Sequence, residues 1–145
     1  MTDSSPNLFI ERIVPAAPRI VFEAWLDPEA LRRFMCAAEG GRVTRAESDP
    51  RVGGKFLIVM SVGDHDVPHH GEYLEIERHR RLVFTWHSKY AGDASRVTLQ
   101  FADAPGGHTK LTLEHAGLGD AENRARHGEG WARVLAQLSA LEHAQ

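Results

Sequence analysis

The hydrophobic period of this chain changes along its length, and that change limits the available folds more than any motif does. Between about Arg42 and His115 lie "GGKFLIVMSV", "GEYLEIE", "RLVFTWHS", "RVTLQFAD" and "TKLTLEHA". These segments are rich in β-branched and aromatic residues and mostly alternate apolar with polar positions, the pattern of strands with one buried face. Turn-forming "VGDHD", "ERHR", "YAGDA" and "APGG" separate them at hairpin distances. The period then lengthens: Trp131, Val134, Leu135, Leu138 and Leu141 recur every three or four residues, which predicts one apolar face on a long helix over about residues 121–142.

Upstream of the alternating region, "NLFIERIVP" has strand-forming residues closed by Pro15, and "APRIVFEAWLDPEALRRFM" carries two helix starts. Pro18 suits a first helical turn and places Ile20, Val21, Ala24 and Trp25 on one stripe. Asp27 and Pro28 form an N-cap and first-turn pair for a second short helix with Leu31 and Phe34 inward. The predicted order is strand, two short helices, a meander of about six strands, and a long helix. This is an α+β chain whose sheet of about seven antiparallel strands leaves one broad face uncovered. Only the final helix is long and amphipathic enough to cover it.

The chain has 145 residues, which suits a single domain over 1–145 that buries roughly 70% of its unfolded surface. No repeat or linker-like shift of composition divides it. Its net charge of −3, from 17 basic and 20 acidic residues without a long block of one sign, gives no electrostatic footprint for nucleic acid. Cys36 is the only cysteine, so neither an intrachain disulfide nor a multi-cysteine zinc site is available, and a reducing cytoplasm is the expected compartment. The polar N-terminus "MTDSSPNLF" has neither the basic start nor the apolar run of a signal peptide, and no membrane span is expected.

Several polar residues invite a chemical reading. His127 and Glu129 are two apart, so on a helix they diverge and cannot form a same-face metalloprotease pair. The flanking Gly128 and Gly130 each weaken a helix by about 1 kcal/mol relative to alanine, which is expected where something approaches the backbone closely. His115 follows Leu111 and Leu113 on the apolar face of its strand and is read as a hydrogen-bonded core histidine, with a ligand contact or acid/base role as the alternative. "GDHDVPHH" gathers Asp64, His65, Asp66, His69 and His70, but adjacent His69 and His70 point to opposite strand faces and the aspartates are assigned to a hairpin turn, so no metal site is expected. If Leu74 and Ile76 face inward, Glu72 does too, a carboxylate on an apolar wall unless it lies at the rim. Gly53 and Gly54 suit a tight turn or bulge, since no phosphate-loop pattern accompanies them, and Cys36 is read as a buried or pocket-side thiol.

The segments "APRIVFEAWLDPEALRRF", "DPRVGGKF", "GEYLEIERHRRLVFTW", "LTLEHAGLGD" and "RHGEGWARVLAQL" resemble, in order and spacing over almost the whole chain, proteins similar to the activator of heat-shock protein 90 ATPase, part of the SRPBCC (START-like, Bet v-like) superfamily. The resemblance implies a helix-grip fold, a curved antiparallel sheet around the C-terminal helix, with an apolar cavity between them that binds lipids, sterols, polyketides or similar molecules. At "RRFMCAA" relatives commonly carry tryptophan in place of Phe34 and a proline soon after, so the pocket is expected to differ in shape there. Co-chaperone activity in the eukaryotic namesake depends on a further N-terminal domain, for which this length leaves no room, so chaperone activation is not expected.

On that resemblance, a small hydrophobic ligand is assigned to a set of apolar positions. Phe56, Ile58 and Met60 alternate on one strand and Phe84 and Trp86 on another, Leu99 stands with Val97 and Phe101 on a third, and Phe34, Met35, Trp131 and Leu135 come from helices. His115 is assigned to orient the ligand. Periodicity alone does not separate a cavity wall from a filled core. No catalytic residue, cofactor or metal is assigned. The competing expectations are a cyclase- or hydratase-type enzyme using His115 with Glu72 or Tyr73, and an interaction protein that grips a partner or forms a homodimer through its sheet edge.

Overall fold

The computed structural model describes residues 7–141. Its elements are β1 (Leu8–Val14), α1 (Pro18–Ala24), α2 (Pro28–Phe34), β2 (Arg42–Ser48), β3 (Lys55–Val62), β4 (His65–Glu77), β5 (Arg81–Thr85), β6 (Arg96–Ala104), β7 (His108–Ala116) and α3 (Ala121–Ala140). The seven strands form one sheet in the order β1-β7-β6-β5-β4-β3-β2. Every neighbouring pair is antiparallel, with β1 returning to pair with β7. The sheet curls into a half-barrel, and the α+β helix-grip architecture expected from the sequence is present.

Local chemistry accounts for the helix boundaries. The Asp27 carboxylate accepts from Glu29 N at 3.1 Å, with Pro28 supplying a fixed φ at the start of α2. Asp120 does the same for α3, accepting from Asn123 N at 2.8 Å. Trp131, Val134, Leu135 and Leu138 are buried along one stripe of α3, against a sheet face built from fully buried Leu82, Leu99, Leu111 and Leu113. At roughly 1.5–3 kcal/mol for each large apolar side chain removed from water, this contact outweighs the helix's weak local propensity around its two glycines.

Those glycines let α3 lie close to its neighbours. A Cβ on Gly128 would sit 3.3 Å from Leu8 Cδ1, and one on Gly130 only 3.0 Å from Ala37 Cβ. Further along, Gln137 Nε2 donates to the carbonyls of Phe34 and Cys36, each at 2.9 Å, while Arg12 Nε donates to Ser139 Oγ at 2.8 Å. The helix is therefore tied to β1 on one side and to the end of α2 on the other. No helix among the described residues is long and apolar enough to cross a membrane.

Two local expectations are corrected. Only Gly63 and Asp64 form the turn after β3, Gly63 taking a left-handed φ of 59°, and the rest of "GDHDVPHH" is the first half of β4. Pairing with β3 extends that strand, because Ile58 and Met60 stand opposite His69 and Val67; Asp66 lies within the strand and accepts from Ser61 Oγ at 2.6 Å. Second, Tyr73 points inward, and Leu74 is 41% exposed. A bulge between Tyr73 and Glu75 inserts Leu74 as an extra residue and resets the alternation, so Ile76 packs against the core while Glu72 shares the outer face with Leu74.

Candidate functional site

A cleft of about 720 Å³ opens between the first half of α3, strands β3 and β4, residues 37–39 after α2, and the loop around Tyr90. Its apolar wall is made by Met60, Val67, Trp86, Trp131 and Val134. The rings of Trp86 and Trp131 are inclined by 50° with centroids 5.0 Å apart, and the His69 ring centroid lies 5.0 Å from that of Trp86. At the rim, the Lys89 ammonium and the Arg126 guanidinium flank the Tyr90 ring at 5.2 and 5.7 Å, and Arg133 faces Glu39 at 3.9 Å. Asn123, in the first turn of α3, fixes this loop to the helix: its Nδ2 donates to the carbonyls of Tyr90 at 3.0 Å and Leu118 at 2.9 Å.

Behind the cleft lies a buried polar relay. Trp131 Nε1 donates to His115 Nδ1 at 2.9 Å, and His115 Nε2 is 2.7 Å from Ser95 Oγ. An indole nitrogen can only donate, so Nδ1 is the accepting nitrogen and Nε2 carries the hydrogen that it gives to Ser95. The His115 side chain is fully buried, and burial, helped by the neighbouring His127, lowers its pKa to about 3. Near neutral pH it is an uncharged link joining β7, the turn before β6 and α3.

Three further histidines line the cleft itself, with His65 exposed at its rim and His69 and His127 deeper. His69 is buried, and desolvation lowers its pKa to about 4, outweighing the opposite pull of the Val67 and Ile58 carbonyls. His127 is half-buried, places Nδ1 3.0 Å from the Asn123 carbonyl, and has its pKa lowered chiefly by burial. Its ring meets that of His115 edge to face, with centroids 5.2 Å apart. An aromatic cleft thus holds uncharged imidazoles at neutral pH, groups that hydrogen-bond a ligand without demanding a counter-charge.

A second void behind Trp86 holds only about 10 Å³, about enough for one water. Trp25, whose indole Nε1 is buried without a hydrogen-bond partner among the described residues, lies beside it. Of the residues assigned to the ligand from the sequence, Met60, Trp86 and Trp131 line the cleft. His115 stands one hydrogen bond behind it, and Met35, Phe56, Ile58 and Phe84 enclose the small void. Phe34, Leu99 and Leu135 are packed in the core.

Other candidates separate. Tyr73 is buried with its hydroxyl 2.8 Å from Ser48 Oγ, and burial raises its pKa. Glu72 lies on the opposite strand face, so His115, Glu72 and Tyr73 do not converge on one void. His70 is exposed on the face opposite His69, and no group of three or more His, Cys, Asp or Glu among the described residues is placed to hold a metal. Gly53 and Gly54 form the tight turn that begins the β3–β4 pairing, with Gly53 N donating to the Tyr73 carbonyl and Tyr73 N to that of Gly54. Sequence reasoning weighed His69 only as a metal ligand and missed Val67, Ser95 and Asn123. Alternation of Val67, His69 and Tyr73 is the available signal for His69 and Val67.

The description "Activator of Hsp90 ATPase homolog 1-like protein" belongs to a family model that matches residues 15–142. Among solved structures, a protein from Chromobacterium violaceum is 27% identical, with a TM-score of 0.84 over 97% of this chain and 99% of its own. The AHSA1 protein from Silicibacter pomeroyi is 30% identical at a TM-score of 0.78, over 93% and 96%. An HSP90 activator from Plasmodium falciparum is 26% identical at a TM-score of 0.71, over 91% and 92%. No curated protein matches the chain. Shared sequence over residues 15–142 and a shared architecture agree: the chain belongs to the activator of Hsp90 ATPase homolog 1-like family.

Proposed function

We propose that this chain is a single cytoplasmic domain that binds a small, largely apolar molecule in the cleft beside the N-terminal half of α3. The observation that carries this reading is the cleft itself. Its volume of about 720 Å³ lies in the range of small-molecule sites, roughly 300–1,000 Å³. Trp86 and Trp131, largely buried, form the apolar floor of the cleft, and His69 and His127 add polar contacts for orientation. The reading requires no metal or cofactor. It puts the ligand at the open end of the grip, where Met60, Trp86 and Trp131, three of the residues assigned from the sequence, line the open volume.

Native mass spectrometry of gently purified protein tests the proposal, together with displacement of an environment-sensitive apolar dye. The expected result is a stoichiometric small-molecule adduct, or saturable dye binding at one site that an apolar competitor reverses. Dye uptake without saturation, together with the absence of any adduct, would sink it.

A second reading, a protein partner, draws support from the similarity to the HSP90 activator of Plasmodium falciparum and from Phe9 and Ile13, which stand 63% and 49% exposed on edge strand β1. Under that reading, Phe9→Ser with Ile13→Ser abolishes partner binding or dimerisation in sedimentation experiments and leaves dye binding unchanged.

A further inference from the structure

The hydrogen-bonding state of the cleft's histidines defines which ligands it accepts. His127 Nδ1 is 3.0 Å from the Asn123 carbonyl and His69 Nδ1 is 3.0 Å from the Val67 carbonyl. A carbonyl oxygen can only accept, so in neutral His127 the hydrogen resides on Nδ1 and the lone pair on Nε2, whereas His69 is shared between the Val67 and Ile58 carbonyls. His127 lines the cleft, and its Nε2 makes no hydrogen bond among the described residues. The indole N–H of Trp131 is already committed to His115. The polar character this leaves on the aromatic wall is that of an acceptor.

We infer that the cleft is a site for a neutral aromatic alcohol of the phenol class, whose hydroxyl donates to His127 Nε2 while its ring lies in the cleft over the edges of the largely buried Trp86 and Trp131 and beside half-buried Val67. The inference rests on the reading of the cleft as a small-molecule site and adds the chemistry that the ligand must carry. A carboxylate offers only acceptors and meets a lone pair at His127. An ether or hydrocarbon of the same size fills the same volume but leaves the imidazole nitrogen unpaired once water is excluded, a loss typical of a missing hydrogen bond at a buried acceptor. Lys89 and Arg126 are engaged at the rim around Tyr90, outside the indole pair, and a carboxylate probe measures whether they compete.

Three probes of one shape test this by calorimetry and by quenching of tryptophan emission near neutral pH: 2-naphthol, 2-methoxynaphthalene and 2-naphthoate. The expected order is naphthol tightest, the methyl ether weaker by about tenfold, and naphthoate weakest. His127→Leu removes the acceptor and should erase the naphthol advantage while leaving the methyl ether unchanged. His127→Gln, which keeps an acceptor oxygen, should restore part of it. Circular dichroism melting of each variant confirms that it is folded at the binding temperature.

Equal affinity for naphthol and its methyl ether overturns the phenol assignment and leaves the small-molecule reading standing. Preference for naphthoate overturns it in favour of the rim cations. A naphthol preference that survives His127→Leu removes His127 as the acceptor and overturns the inference as stated. Binding of none of the three overturns both the inference and the reading on which it rests.

Discussion

Trp131 on α3 donates its indole hydrogen to His115 on β7 across 2.9 Å, and both residues are buried. The contact couples the closing helix to the sheet at the level where α3 begins to cover the core. It also fixes which His115 nitrogen holds the proton, and through that nitrogen the relay extends to Ser95. The same indole forms the wall of the cleft on its other side. One side chain therefore serves the core and the candidate site together.

Trp131→Phe should expose the energetic weight of that bond. Phenylalanine keeps an aromatic ring but leaves His115 Nδ1 as a buried acceptor without a donor, at a cost of about 1–3 kcal/mol in addition to the smaller ring's lost packing. His115→Leu in the same background removes the stranded acceptor. In urea unfolding, the double variant should be less destabilised than the sum of the singles by at least about 0.5 kcal/mol. Strict additivity would show that the bond contributes nothing.

Stability should fall with acid in a window set by two buried histidines. Both have folded pKa values depressed below the ordinary 6.5, His115 to about 3 and His69 to about 4. Between those values and 6.5 the unfolded chain binds more protons than the folded one, so the stabilisation from keeping these rings neutral is complete above about pH 6.5 and is lost as pH falls. Each ring should cost roughly 1.4 kcal/mol per pH unit once well below 6.5. Urea midpoints measured from about pH 7 to pH 5, a range chosen to stay above most carboxylate titration, should decline. His115→Gln, which does not titrate, should make the decline shallower; an unchanged slope would show that His115 is not the group responsible.

How far the sequence carries depends on what each residue's position encodes. The three-and-four spacing of Trp131, Val134, Leu135 and Leu138 specifies the buried stripe of α3, and strand alternation places Leu111, Leu113 and His115 on one inward face. Such periodicities are local and legible. The bulge at Leu74 is not, because one inserted residue reverses which face is inward and no composition marks it. The cleft is less legible still: Phe56 and Phe84 look no different in sequence from Trp86, yet the first two wall a void of about 10 Å³ and only Trp86 also borders the open volume. Whether an apolar residue faces another side chain or a space depends on the volumes of partners from distant segments. The His115 relay was hidden for the same reason, since Ser95 and Trp131 reach it from separate parts of the chain.

The two helix glycines should respond differently to alanine. Each substitution gains up to about 1 kcal/mol of helix propensity. At Gly128 the new methyl meets the end of the Leu8 side chain at 3.3 Å, which can rotate away; at Gly130 it meets the Cβ of Ala37 at 3.0 Å, which is fixed to its backbone. Gly128→Ala should therefore raise the melting temperature and Gly130→Ala should lower it or leave it unchanged. Equal stabilisation by both would mean that close approach at residue 130 does not constrain the helix.

The final prediction separates the cleft from the core. Val67 is half-buried on β4 and lines the cleft, so Val67→Trp fills open volume with a residue that strands tolerate well. It should reduce apolar dye binding at least tenfold and move stability by less than about 1 kcal/mol. Leu99 is fully buried, paired across the sheet with Leu82 and Leu113, and does not border the cleft. Leu99→Ala should cost about 2–5 kcal/mol through the cavity it leaves while changing dye affinity less than twofold at a temperature where the variant remains folded. Leu135→Ala belongs to the same class, because Leu135 is packed in the core under α3. The paired measurement is urea unfolding and dye titration on the three variants and the parent. If Leu99→Ala or Leu135→Ala abolishes binding and Val67→Trp leaves it intact, the ligand occupies the interior of the sheet–helix sandwich, the aromatic packing there opens on binding, and the cleft beside α3 is not the site.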